Sequence, residues 1–128
     1  IDFGGYASDS FRIQQHFFGT GECFLFQLEP RRTIYPWSHL NDYFLFGGPD
    51  SIGFGGGSQY LFYFYLKFYF YFLIYFLIFS GRFGLWLDRD FYNGSSSKSE
   101  TFGNQCLSNK QDFICKGLEV WGFQEFKA

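Results

Sequence analysis

Twenty consecutive residues, Tyr60 to Phe79, are all Phe, Tyr, Leu or Ile except Lys67. A run of that length is what an α-helix needs to cross the hydrocarbon core of a bilayer. Its composition argues against a span. Thirteen of the twenty residues are Phe or Tyr, whereas spanning helices are mostly aliphatic and keep Tyr and Trp at the interfaces. Tyr65, Tyr69, Tyr71 and Lys67 would lie near the bilayer centre. Alternating stretches such as Phe62-Tyr63-Phe64-Tyr65 suit an extended chain better than a helix. The tract also interrupts two pieces, Phe54-Gly55-Gly56-Gly57-Ser58 and Gly81-Arg82-Phe83-Gly84, that read as the arms of one hairpin. A single crossing would hold its ends roughly 30 Å apart, while paired strands lie under about 5 Å apart. Residues 58–80 therefore read as a low-complexity insert, or as translated non-coding sequence, since T- and A-rich codons specify Phe, Tyr, Leu, Ile, Lys and Ser. Exposed aromatic strands template aggregation. Deleting residues 58–80 is expected to raise the soluble fraction of the expressed chain, measured after centrifugation.

Without that insert about 105 residues remain, enough for one small domain with little surplus core. The sequence contains no Met and opens within a strand-turn pattern, Ile1-Asp2-Phe3-Gly4-Gly5. A preceding N-terminal portion is expected. The periodicity outside the tract is two rather than 3.6. Strands are predicted over Glu22–Leu28, Arg32–Tyr35, Asp42–Phe46, Ser51–Phe54, Arg82–Asp88 and Leu118–Phe123, punctuated by Gly and Pro. Short strands at this spacing imply an antiparallel sandwich. Ser95 to Asn109 is polar and reads as a long surface loop. Asn93-Gly94-Ser95 is formally a glycosylation sequon but reads as a turn.

Net charge is −2, and Arg31-Arg32 is the only adjacent basic pair. That excludes the phosphate-binding footprint of a nucleic-acid protein. Cys23, Cys106 and Cys115 are odd in number and widely spaced, which fits a reducing compartment rather than a disulfide framework. His16 and His39 have no carboxylate or cysteine at metal-ligand spacing. Gly55-Gly56-Gly57 lacks the Lys-Ser/Thr and the strand-to-helix setting of a phosphate loop. No cofactor or metal is expected. Cys23 reads as a half-buried packing residue, because Glu22 beside it disfavours the thiolate a redox role needs. No Ser or Cys has a base beside it in sequence, so the chain is expected not to be an enzyme. Trp37, Trp86 and Trp121 read as packing residues, and an exposed one would anchor an interface.

Several motifs together resemble the TLDc domain. They are Phe3-Gly4-Gly5-Tyr6-Ala7-Ser8, Phe18-Gly19-Thr20-Gly21-Glu22-Cys23-Phe24-Leu25-Phe26 and Asn41-Asp42-Tyr43-Phe44. They continue in order with Asp50-Ser51, Phe83-Gly84-Leu85-Trp86-Leu87-Asp88-Arg89-Asp90, Gly94-Ser95-Ser96, Glu100-Thr101-Phe102-Gly103-Asn104, Leu107-Ser108 and Leu118-Glu119-Val120-Trp121-Gly122-Phe123. The resemblance spans nearly all the chain outside the tract. It implies one partial domain, residues 1–57 with 81–128, of mainly β (α+β) class: two antiparallel sheets face to face with a few flanking helices. It also implies a non-enzymatic interaction module linked to oxidative-stress resistance in eukaryotic cells. Several family members bind the cytosolic, peripheral sector of the vacuolar proton-pumping ATPase, which makes that sector the expected partner and the cytoplasm the expected location, with mitochondrial or nuclear forms open. Gly19, Thr20, Gly21, Glu22, Asp88, Glu119 and Trp121 are the candidate structural or recognition residues. The alternatives are a thiol-based redox protein working through Cys23 and a membrane-anchored protein using residues 60–79.

Overall fold

A computed structural model describes residues 2–56 and 83–122. Eight short strands occur in chain order: β1 (Phe3–Tyr6), β2 (Phe24–Gln27), β3 (Thr33–Tyr35), β4 (Leu45–Gly47), β5 (Ser51–Phe54), β6 (Leu85–Asp88), β7 (Asn93–Ser95) and β8 (Asp112–Ile114). They form a three-stranded sheet, β1-β2-β3, and a five-stranded meander, β4-β5-β6-β7-β8. Every strand pair is antiparallel. The architecture is the mainly-β, two-sheet arrangement that the period-two pattern predicts. Among the described residues there is no helix, so none of the expected flanking helices is seen there.

Alternation decides which side chains meet between the sheets. On β2, Leu25 is fully buried, while Phe24 and Phe26 are half-buried on the opposite face. Phe24 stacks there on Tyr6 of β1. On the larger sheet Leu45, Phe54 and Leu85 point inward and join Leu25, Phe18, Cys23, Phe44, Phe102 and Leu107 in one core. Its other face carries a second aromatic layer, in which Phe46 and Phe83 stack and both contact Phe17. The sheets approach closely at Gly84, where an added Cβ would lie 2.7 Å from the Leu25 side chain. Fully burying a side chain such as Leu25 contributes about 1.5–3 kcal/mol.

The hairpin arms on either side of the tract do pair. Phe54 lies opposite Leu85, and the Gly84 amide donates to the Gly55 carbonyl at 2.9 Å. Gly57 and Gly81 themselves lie outside the described residues, as does the tract.

Three expectations are corrected. Asn93–Ser95 is strand β7 rather than a turn, with the turn falling on the preceding residues and Gly94 packed against the Phe113 ring. Ser95–Asn109 is not a surface loop: Ser96, Thr101 and Leu107 are wholly excluded from solvent, and Ser99, Phe102 and Asn104 nearly so. Leu118–Gly122 forms no strand, and Phe123 lies outside the described residues. A strand needs a partner for its amides and carbonyls, and this segment pairs with none among the described residues.

Candidate functional site

The Gly19–Glu22 segment is the tight turn that feeds β2. Gly19 adopts a left-handed conformation with φ of 99°, which favours glycine. The Thr20 amide donates to the Ser8 hydroxyl at 2.8 Å, and the Thr20 hydroxyl accepts from the Glu22 amide at 3.2 Å. The Cys23 amide closes the turn on the Thr20 carbonyl at 3.1 Å. Gly21 lies flat against Trp37, so near that a Cβ would come within 2.3 Å of the indole. Trp37 is held in turn by its own N–H, which donates to the Asn41 carbonyl at 2.7 Å.

A shallow, open depression results, lined by Thr20, Gly21, Glu22, Pro36, Trp37 and His39. The His39 ring lies over Trp37 with centroids 3.9 Å apart and planes tilted by 32°. His39 is exposed and sits in the left-handed region at φ of 66°. Such a conformation is uncommon for a residue other than glycine, though His adopts it more readily than most. Ser38 between them is anchored to the Ser95–Asn109 segment: its amide donates to Thr101 O at 2.9 Å and its hydroxyl to the carbonyl of Glu100. Glu22 is exposed and makes no ion pair among the described residues.

The other candidates lie elsewhere. Asp88 ends β6 and caps the hairpin to β7. Its carboxylate accepts from the Tyr92 amide at 3.0 Å and the Asn93 side chain at 2.9 Å, across a turn in which Phe91 is left-handed at φ of 54°. Loss of solvent, the largest single influence, pushes the carboxyl up. The hydrogen bonds from the Asn93 side chain and from the Tyr92, Asn93 and Asp90 backbone outweigh it and hold the group below its ordinary 3.8. Asp88 is thus a turn cap. A depressed carboxyl stabilises the fold above its unfolded value and loses that contribution as pH falls through the folded one. Asp88→Asn is therefore expected to lower the thermal midpoint at neutral pH, and the gap from the parent should close at pH well below 3.8.

Glu119 and Trp121 lie in the exposed Leu118–Gly122 segment, where the Trp121 indole N–H donates to the Glu119 carboxylate at 3.3 Å. Trp121 is 80% exposed, against the expectation of a packing role. Trp37 and Trp86 are half-buried as expected. No hydrogen bond, ion pair or ring contact among the described residues joins Asp88, Glu119 or Trp121 to the Gly19–Glu22 turn. The seven candidates are thus three separate features rather than one site. What sequence reading missed is that Pro36–His39 completes the depression, because no spacing rule links residues 20–22 to residues 36–39.

Cys23 is 1% exposed, more deeply buried than expected. Its thiol donates to Ser8 Oγ at 3.3 Å and its sulfur accepts the Ser8 amide at 3.4 Å. A buried thiol fixed in this way packs like a small apolar residue. Among the described residues no group of three His, Cys, Asp or Glu could hold a metal ion, and no helix is long and apolar enough to cross a membrane.

The conserved-domain profile of the TLDc domain matches residues 2–124, almost the entire chain. The chain belongs to the TLDc domain family. It is 40% identical over 121 residues to nuclear receptor coactivator 7 of Homo sapiens, covering 94% of this chain and 10% of that protein. It is 38% identical over 122 residues to oxidation resistance protein 1 of Xenopus laevis, covering 95% and 12%. The mouse oxidation resistance protein 1 is 37% identical over the same length. The chain thus spans about a tenth of the length of the curated relatives it matches. The TLDc motifs acquire physical meaning from the geometry: Gly19 and Gly21 shape the turn, Glu22 stands at the rim of the depression, and Asp88 caps a hairpin.

Proposed function

We propose that this TLDc chain is a non-enzymatic interaction module in oxidative-stress resistance, acting in the cytoplasm by docking on the peripheral sector of the vacuolar proton-pumping ATPase. Membership of the TLDc family carries the reading, and relatives bearing the name oxidation resistance protein support its biological setting. The geometry is in keeping with recognition rather than catalysis. The depression at Gly21 is shallow and open, and the Cys23 thiol is buried in the core rather than presented at the surface. The Gly84–Gly55 hydrogen bond brings the two arms that flank the tract together, which counts against the alternative of a single membrane crossing.

The test is a pull-down. The tagged chain should retain the pump's peripheral sector from a detergent-free cytosolic extract at physiological salt. Retention no greater than that of an unrelated β-sandwich of equal size would overturn the proposal.

A further inference from the structure

We infer that the depression between Thr20–Glu22 and Pro36–His39 receives an arginine side chain from an extended segment of the partner protein. The inference rests on reading the chain as an interaction module and supplies the chemistry of the contact. Three features carry it. First, the walls offer stacked rings: His39 lies over Trp37 at 3.9 Å, and His39 is open to solvent. A planar guanidinium stacks on such a surface, whereas a compact ammonium gains less from it. Second, the one carboxylate of the lining, Glu22, has no ion-pair partner among the described residues, and neither Lys nor Arg lines the depression. A carboxylate beside a stacking plane matches the forked donors of arginine. The same carboxylate repels phosphate and other anions. Third, the receptor is already fixed. The Trp37 indole is bonded to Asn41, Gly21 packs against it, Ser38 is tied to Glu100 and Thr101, and the Thr20 hydroxyl holds the Glu22 amide. Little ordering of the protein is then needed on binding, which favours affinity at a small surface.

The test uses the full chain at low concentration, with the peptide acetyl-Gly-Gly-Arg-Gly-Gly-amide observed by saturation-transfer NMR. Parallel peptides carry lysine or citrulline, the latter being neutral and nearly isosteric with arginine. Saturation is expected on the arginine side chain, less on lysine and little on citrulline. Glu22→Gln should weaken arginine binding by up to about fivefold, the upper end for an exposed charge pair, and Glu22→Lys should abolish it. Because Glu22 is exposed, both variants should keep the parent's thermal midpoint, which separates loss of binding from loss of fold. His39→Ala should weaken the arginine peptide more than the lysine peptide. Equal saturation of citrulline and arginine, or an unchanged affinity in Glu22→Lys, would overturn the inference. Failure of the pump-sector pull-down with intact arginine binding would sink the functional reading and leave the receptor standing. Retention of the sector by Glu22→Lys would do the reverse.

Discussion

Phe102→Ala is expected to destabilise the domain by about 3–5 kcal/mol, the range for removing a buried aromatic ring. Phe102 is 3% exposed and sits in the core with Phe44, their centroids 6.5 Å apart. It also lies under the Gly55 backbone, where an added Cβ would come within 2.8 Å of its ring. The neighbouring groups cannot close over the gap cheaply. Thr101 beside it donates to Asn41 Oδ1 at 2.6 Å and lies 3.1 Å from Gly56 O, and the Phe102 amide bonds to Ser99 Oγ at 3.3 Å. Those bonds hold the backbone while the side chain is deleted, so a cavity should remain. Urea unfolding followed by circular dichroism measures the loss as a lower midpoint at unchanged slope. Gln105→Ala, in the same segment but exposed, should stay within about 0.5 kcal/mol of the parent. Equal effects of the two substitutions would mean that the segment lies on the surface.

That segment marks where sequence reading stops. Ser95 to Asn109 is polar by composition, and polarity ordinarily signals solvent. Here the polar groups bond one another inside the fold: Ser96 Oγ donates to Gly84 O at 2.6 Å, Ser99 Oγ to Asn104 Oδ1 at 2.6 Å, and the Asn104 amide to Ser97 O at 3.0 Å. Buried polar groups are tolerated when paired in this way, and no single-sequence pattern reveals the pairing. Strands were more legible. Ser51–Phe54 has the bounds that alternation predicts, and Leu85–Asp88 falls within the predicted Arg82–Asp88. The predicted Asp42–Phe46 strand begins only at Leu45, because Asn41 bends the chain by accepting the Tyr43 amide and the Phe44 amide turns back to Asp42 O. Asx turns of this kind compete with strand at their own residues. Leu118–Phe123 shows the opposite case: a sound alternating pattern, but no paired neighbour among the described residues. The candidate site was half visible. The Gly19–Glu22 motif stood out as a structural or recognition candidate, but the turn it forms and its contact with Trp37 are tertiary facts that the residues do not announce.

Gly47→Ala is expected to cost about 3 kcal/mol or more, a large effect for one methyl group. Gly47 closes β4, and the Arg12–Gln14 backbone crosses directly over it. An ideal Cβ would fall 1.9 Å from the Arg12 carbonyl oxygen and 2.9 Å from its carbonyl carbon. A side chain in that position could swing aside, but a peptide unit cannot. Relief requires lifting the crossing segment, which would break the bond from the Gln14 amide to Gly47 O at 3.1 Å. It would also strain the paired bonds between Phe18 and Leu45, at 2.9 and 3.0 Å, which tie the same segment to β4. Phe18 is a core residue packed beside Phe11, so the disturbance would reach the centre of the sandwich. Gly117→Ala provides the reference, since nothing lies within 4 Å of its added Cβ; it should change stability by no more than about 0.5 kcal/mol. The two variants remove the same backbone freedom from the unfolded chain, so the difference in their urea midpoints isolates the clash. Midpoints that agree within error would show that Arg12–Gln14 does not rest on β4, and the inner wall of the larger sheet would have to be redrawn.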